Sequence, residues 1–226
     1  MKSIILLSGG LDSAVCFKRA VDETAAVLAL WFDYGQPAAR QEASASRRMA
    51  RRFNVRHKSI ALPWLKPLLP AEFKASSARL RTALGDEKAE AEAARAVWVP
   101  NRNGIFINVA AAFAESLDCD SIVAGFNAEE GASFPDNSTQ YVEAANAALA
   151  LSTLRRPRVI SYTADLDKME ILAMARRIGA PLDLIWSCYY GGEEMCGECV
   201  SCQRLLRAVR EEYDEDLKVL LSRFRK

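Results

Sequence analysis

The chain has 226 residues, 50% of them hydrophobic and 26% charged, with 30 basic against 29 acidic side chains for a net charge of +1. That length buries a sizeable core and suits one domain or a domain with a small appendage. The composition excludes a disordered or low-complexity chain, and the balanced charge gives no electrostatic case for a dedicated nucleic-acid binder.

Met1-Lys2-Ser3 leads straight into the apolar run Ser3–Leu7, with no small-residue cleavage site. This predicts no signal peptide and a cytoplasmic protein. The run ends at Ser8-Gly9-Gly10, which suits a buried parallel strand and a tight turn, and Asp12–Val21 follows as a helix packed on a sheet. Val27–Phe32 reads as a second strand closed by Asp33-Tyr34-Gly35. A basic helix follows, carrying Arg40, Arg47, Arg48, Arg51, Arg52 and Arg56. It reads as a solvated face, with a phosphate or RNA contact as the alternative.

Arg56–Ile60 reads as a third strand. The Ala-rich, charged stretch Ala75–Ala96 is either a surface helix or a flap over a site. Gly104–Ser116 predicts a buried helix, and its greasy extension to Leu117 is interrupted by Asn108 and Glu115, far short of the roughly 18 apolar residues of a membrane span. Ser121–Ala124 reads as a fourth strand, Tyr141–Leu151 as a helix and Val159–Ser161 as a fifth strand. Lys168–Ile178 is a helix stopped by Gly179 and Pro181. Alternating strands and helices predict an α/β fold, a doubly wound parallel sheet of the Rossmann-like kind.

Ser8-Gly9-Gly10-Leu11-Asp12-Ser13 lies between the first strand and its helix, where an open α/β sheet places ligands. Two glycines let the backbone turn tightly, and the first helical amides then face an anion with the positive dipole end behind them. Without a following Gly-Lys-Ser/Thr this is not the Walker pattern. The ordinary reading is a Gly-Gly turn with Asp12 or Ser13 as N-cap. The full hexamer resembles the pyrophosphate loop of the ATP-pyrophosphatase (PP-loop) superfamily. Its members, among them GMP and NAD synthetases and tRNA thiolases, cleave ATP between the α- and β-phosphates and adenylate an oxygen. The expected nucleotide-binding residues are therefore Leu7, Ser8, Gly9, Gly10, Leu11, Asp12 and Ser13.

There is one histidine, His57, which argues against a Ser-His-Asp triad or a three-histidine zinc site. Four of the six cysteines, Cys188, Cys196, Cys199 and Cys202, fall within fifteen positions. Without an export signal such clustering points to a metal, and four thiolates close a tetrahedral zinc site. An iron–sulfur cluster uses similar spacing. Cys16 and Cys119 read as small core residues.

Taken in order, the loop hexamer, Phe32-Asp33-Tyr34-Gly35-Gln36, Val99-Pro100-Asn101-Arg102-Asn103, Phe134-Pro135-Asp136, Asp167-Lys168 and Trp186-Ser187-Cys188-Tyr189 with the cysteine cluster resemble the 7-cyano-7-deazaguanine synthase family. The resemblance implies an adenine-nucleotide α-hydrolase-like domain over residues 1–185. A zinc-binding segment and C-terminal helix over 186–226 would pack on that domain. It implies adenylation of 7-carboxy-7-deazaguanine by ATP with Mg²⁺, attack by ammonia to form the amide, and a second ATP-driven step to the nitrile. It also implies zinc on the four cysteines and a homodimer.

In this scheme Asp12, Ser13 and Lys168 serve the chemistry, Lys168 as a cation on pyrophosphate and Asp12 near Mg²⁺. Tyr34 or Phe32 stacks on a base and Gln36 reads its edge. Arg102, with Asn103 beside it, holds a carboxylate or phosphate. Asp136 accepts from the amino edge of a guanine-like base. Where the family typically has Tyr-Pro-Asp-Cys-Arg, this chain has Phe134-Pro135-Asp136-Asn137-Ser138. The missing arginine leaves open a relative of the antiphage-defence kind that attaches the same activated acid to a protein amine. A zinc-stabilised tRNA-binding module is a reading from another class.

Overall fold

The computed structural model describes residues 1–74, 87–211 and 217–225. Strands β1 (Lys2–Leu6), β2 (Ala25–Asp33), β3 (Arg56–Ala61), β4 (Ser121–Val123) and β5 (Arg158–Ile160) pair in parallel in the order β3-β2-β1-β4-β5. β1 and the second half of β2 are buried because their continuous apolar runs are covered on both faces, as parallel sheets require.

Helices α1 (Leu11–Glu23), α2 (Ala39–Arg52), α8 (Lys168–Arg177) and α9 (Val200–Glu211) contribute to the core on one side of the sheet. On the other side lie α5 (Arg102–Ser116) and α7 (Thr139–Ser152), whose Leu149 is buried there. The remaining helices are short or peripheral: α3 (Ala71–Lys74), α4 (Glu87–Val97), α6 (Ala128–Ser133) and α10 (Lys218–Leu221). The expected doubly wound sheet is the observed one. The chain builds outward from β1 to β3, then crosses back to β4, so the order reverses beside β1 and opens a crevice at the carboxyl edge.

Two expectations need correction. The basic helix stops at Arg52, so Arg56 belongs to β3. Ala45, Ser46, Met49 and Ala50 of α2 face inward and its arginines lie outside, Arg52 clasping Asp183 with both terminal nitrogens at 2.6 Å. The helix expected at Gly104 is only half-buried, with Asn108 and Ala112 exposed, because one side alone meets the sheet. It begins at Arg102, after Asn101 adopts a left-handed turn at φ 53° that asparagine tolerates. Of the Ala75–Ala96 stretch, residues 75–86 lie outside the described residues, and α4 realises its helical reading.

Among the described residues, the C-terminal segment has no core of its own. Trp186, Cys188, Met195, Cys199, Cys202 and Leu205 join one buried cluster with Ile5, Leu7 and Phe17. A short bridge closes it: Met195 N–H donates to Arg223 and Arg225 N–H to Met195, both at 2.8 Å.

Candidate active site

The loop after β1 is braced by its own serines. Gly9 turns at φ 92°, a left-handed value that favours glycine. Ser13 Oγ accepts the Gly9 N–H at 3.1 Å and donates to the Gly10 carbonyl at 3.0 Å. Ser8 Oγ lies 3.1 Å from Ser13 Oγ and accepts the Gly10 N–H at 3.3 Å. The N-cap is Gly10, with no side chain on the helix amides, so the ordinary N-cap reading of Asp12 or Ser13 is not realised. The first turn of α1 keeps its amides and dipole end for a ligand. Trp186 N–H donates to the Gly9 carbonyl at 2.8 Å, which ties the cysteine-bearing segment to the loop.

The two glycines divide the work. A Cβ on Gly9 would meet Ala45 Cβ of α2 at 2.7 Å, whereas one on Gly10 meets nothing closer than 3.6 Å. Gly125, just after β4, lies so close to α1 that its Cβ would fall 2.6 Å from the Ser13 nitrogen. Sequence reading assigned Gly125 no role; only the approach of two distant elements reveals it.

Beside the loop a cavity of about 230 Å³ opens at the carboxyl edge of the sheet. Leu7, Ser8, Gly10, Leu11, Asp12, Ser13, Phe32, Tyr34, Arg102, Asn103 and Lys168 all line it, so the fold brings most of the predicted residues together. Lys168, the first residue of α8, reaches Asp12 Oδ1 and Oδ2 at 2.9 and 2.7 Å, and Asn127 Nδ2 donates to Oδ2 at 3.0 Å. Glu130 stands 3.7 Å from the Lys168 nitrogen. Burial alone would strip the Lys168 charge, but Asp12 and Glu130 outweigh it and hold the ammonium above its ordinary pKa. Burial pushes Asp12 up, with Lys168 opposing.

Arg102 Nη1 donates to Tyr34 Oη at 3.1 Å, and the guanidinium lies over the Tyr34 and Phe106 rings at 5.6 and 6.0 Å. Its Nε is buried without a hydrogen-bond partner among the described residues. Burial works against its charge, yet Tyr34 and Asp136 hold its pKa above the ordinary value. Phe32 stacks on Phe106 at 4.1 Å with 6° between planes, and Trp98 on Phe134 at 5.7 Å and 9°.

Three predicted residues do not face the cavity. Gly9 backs onto α2. Gln36 is a brace of the turn after β2: its Oε1 accepts the Tyr34 N–H at 3.0 Å, and its Nε2 donates to the Phe32 carbonyl at 3.0 Å and to Glu42 Oε2 at 2.8 Å. Asp136 is buried and accepts from Asn103, from the backbone N–H at 2.9 Å and from Nδ2 at 3.1 Å. It secures the start of α5, and Asn103 spends its amide there. Ser138, at the position of the family's arginine, caps α7 by accepting the Tyr141 N–H at 3.1 Å.

Sequence reading missed Glu42, Glu130, Trp31, Trp98 and Phe106 as cavity residues. Glu42 lies in the first turn of an arginine-rich helix, where a carboxylate needs no explanation beyond the dipole.

The sulfurs of Cys188, Cys196, Cys199 and Cys202 lie within 4.8 Å of one another, with Cys196 and Cys202 at 3.9 Å. Thiolates about 2.3 Å from a tetrahedral ion sit about 3.8 Å apart, so the set fits zinc. Backbone N–H groups of Tyr190, Glu198 and Cys199 donate to the sulfurs at 3.3–3.4 Å, which supports thiolate charge.

A parallel sheet with a glycine loop at the β1–α1 turn, a buried lysine–aspartate pair beside it and an aromatic cavity beyond define a PP-loop-type enzyme fold. The sequence profile described as queuosine biosynthesis protein QueC matches residues 2–213, and the chain belongs to that family. A protein of Pelotomaculum thermopropionicum called 7-cyano-7-deazaguanine synthase is 50% identical over 93% of this chain and 97% of its own. One of the same name from Desulforudis audaxviator matches at the same identity and coverage. Among solved structures, NMN synthetase from Francisella tularensis superposes with a TM-score of 0.51 and 14% identity, covering 98% of this chain and 81% of that one, a likeness of fold alone.

Proposed function

We propose that the chain is an ATP-dependent enzyme of queuosine biosynthesis that converts 7-carboxy-7-deazaguanine, with ammonia, into 7-cyano-7-deazaguanine. The observation that carries the reading is its near-full-length match to relatives of that name, with the phosphate loop intact.

A carboxylate resists nucleophiles because its charge repels them and oxide is a poor leaving group. Adenylation removes the charge and installs AMP, so the protein has chiefly to align the reactants and stabilise charge growing on pyrophosphate. The free amides at the start of α1 suit that charge, and Lys168 supplies a cation whose position Asp12 sets. Arg102, with its unpartnered Nε, suits the substrate carboxylate, and its stack with Tyr34 and Phe106 fixes the plane it presents. Phe32 and Phe106 offer an aromatic wall for a flat base. Mg²⁺ would neutralise the phosphates, and zinc on the four cysteines would pin Trp186–Cys202 against the loop without entering the chemistry. A homodimer and a cytoplasmic setting belong to the same reading. Nothing in the site favours the protein-conjugating or tRNA-binding alternatives.

Pyrophosphate release from ATP, with and without the deazaguanine acid, tests the first half-reaction. Mass spectrometry of the product formed with ammonia tests the second: a nitrile is expected, and an amide alone would stop the assignment halfway.

A further inference from the structure

Glu42 is a cavity carboxylate to which the adenylation scheme gives no task. It sits in the first turn of α2, half-buried, and lines the cavity beside Trp31, Phe32 and Tyr34. Gln36 holds its Oε2 at 2.8 Å and is itself latched at both ends to the turn after β2. The carboxyl group is therefore positioned by a rigid turn. Trp31, whose buried indole N–H makes no full hydrogen bond, approaches the same group and favours its charged form. Burial pushes the group upward, and Gln36, Arg102 and Trp31 oppose that. Asp136, the acid that sequence reading would give to base recognition, is already satisfied by Asn103.

We infer that Glu42 is a specificity-determining residue that accepts hydrogen bonds from the amino edge of a purine-type base stacked near Phe32 and Phe106. A carboxylate is an acceptor only: its two oxygens match the adjacent ring N–H and amino donors of a guanine-type edge, whereas an adenine edge offers one oxygen its amino group alone. The inference rests on the proposed function, which brings two amino-bearing bases into this cavity, the adenine of ATP and the deazaguanine. Both offer an amino donor to a carboxylate, and the deazaguanine adds a ring N–H beside it.

The experiment separates them. Wild type and Glu42→Gln are compared on the two natural substrates and on two analogues lacking the amino group, purine riboside triphosphate and 7-carboxy-7-deazahypoxanthine. A hydrogen bond to a charged acceptor makes wild type prefer one amino-bearing substrate over its analogue by about 10- to 100-fold. Glu42→Gln lowers that preference by about tenfold, because one acceptor becomes a donor and the charge is lost, and leaves the other base's preference unchanged. No preference for either base in wild type, or an undiminished one in the variant, overturns the inference. Thermal unfolding checks that the variant folds; if it does not, Glu42→Asp, which keeps the charge but withdraws it by one methylene, must show the same loss. Should wild type release no pyrophosphate with the deazaguanine acid, the proposed function fails. Competitive binding of ATP against its amino-free analogue still decides the role of Glu42.

Discussion

Lys168 Nζ stands 2.7 Å from Asp12 Oδ2, joining the first turns of α1 and α8 across the phosphate loop. Both side chains are buried, so neither charge is left to water, and Asn127 completes the carboxylate's shell. Removing one partner strands the other charge, which costs about 3–5 kcal/mol, whereas removing both costs much less. Lys168→Met should therefore lower both stability and ATP cleavage, the latter by at least about 100-fold for a lost cation on pyrophosphate. Lys168→Met/Asp12→Asn should recover much of the stability and none of the activity. Recovery of both would make the pair a structural brace only.

Gly9 and Gly10 should respond differently to alanine. At Gly9 the new Cβ meets α2 at 2.7 Å in a left-handed backbone, so Gly9→Ala should cost about 1–3 kcal/mol and disable the loop. At Gly10 the contacts are ordinary and the backbone is extended, so Gly10→Ala should fold like wild type. Gly125→Ala should abolish pyrophosphate release while retaining the sheet, because its Cβ would strike the Ser13 nitrogen. Melting curves beside pyrophosphate assays separate the three outcomes.

Local signals in the sequence carried most of the fold. Apolar runs marked β1, β2, β4 and β5, while the expected third strand, Arg56–Ile60, is a largely polar one, and Gly179 with Pro181 ended α8 where expected. The short α6 and the 3₁₀ turns at 63–68, 135–137 and 182–184 were not legible, since their residues show no periodicity. The cysteine cluster was readable because its spacing is local. The task of Gln36 was not, because a glutamine after a strand looks free until Glu42 and the Phe32 carbonyl arrive beside it. The Asp136–Asn103 contact was not legible for the same reason, the two residues lying 33 positions apart. Contacts between distant elements decide which polar group faces a ligand.

Asp136→Ala should act through the fold. It strips the Asn103 backbone N–H and side chain of a buried acceptor, at a cost of about 1–3 kcal/mol. A lowered melting temperature with base preference unchanged is expected. A change of base preference at unchanged stability would return Asp136 to the recognition role.

His57 makes stability depend on pH in a defined direction. Its Nε2 lies 2.5 Å from the buried Ser46 Oγ, and burial first, then Arg47, hold its pKa below the ordinary value. The folded chain then binds the proton less readily than the unfolded chain. Stability linked to His57 is full above about pH 6.5 and declines as pH falls through the window below it. The raised carboxyl of Glu42 acts oppositely, losing stability as pH rises above about 4. The difference between wild type and His57→Gln isolates the imidazole: denaturant midpoints should converge as pH drops from 7 to 5. Parallel curves would leave the imidazole without a shift.

Cys188, Cys196, Cys199 and Cys202 should hold one structural zinc per chain. Four thiolates fill a tetrahedral shell and leave no position for water, while a catalytic zinc keeps one open. Adenylation by ATP needs no Lewis acid there. What the ion would supply is attachment: Trp186, two residues before Cys188, bonds to the Gly9 carbonyl, and Tyr189, one residue after it, lines the cavity. Zinc binding to such sites contributes on the order of 10 kcal/mol in peptides, where it drives folding. Cys199→Ser should yield protein with little zinc, a lower melting temperature and weakened ATP cleavage through a loosened loop. Cys119→Ser, outside the cluster, should keep its zinc. Elemental analysis decides the matter: iron with a visible absorption band, or well under one zinc per chain in intact wild type, would defeat the assignment.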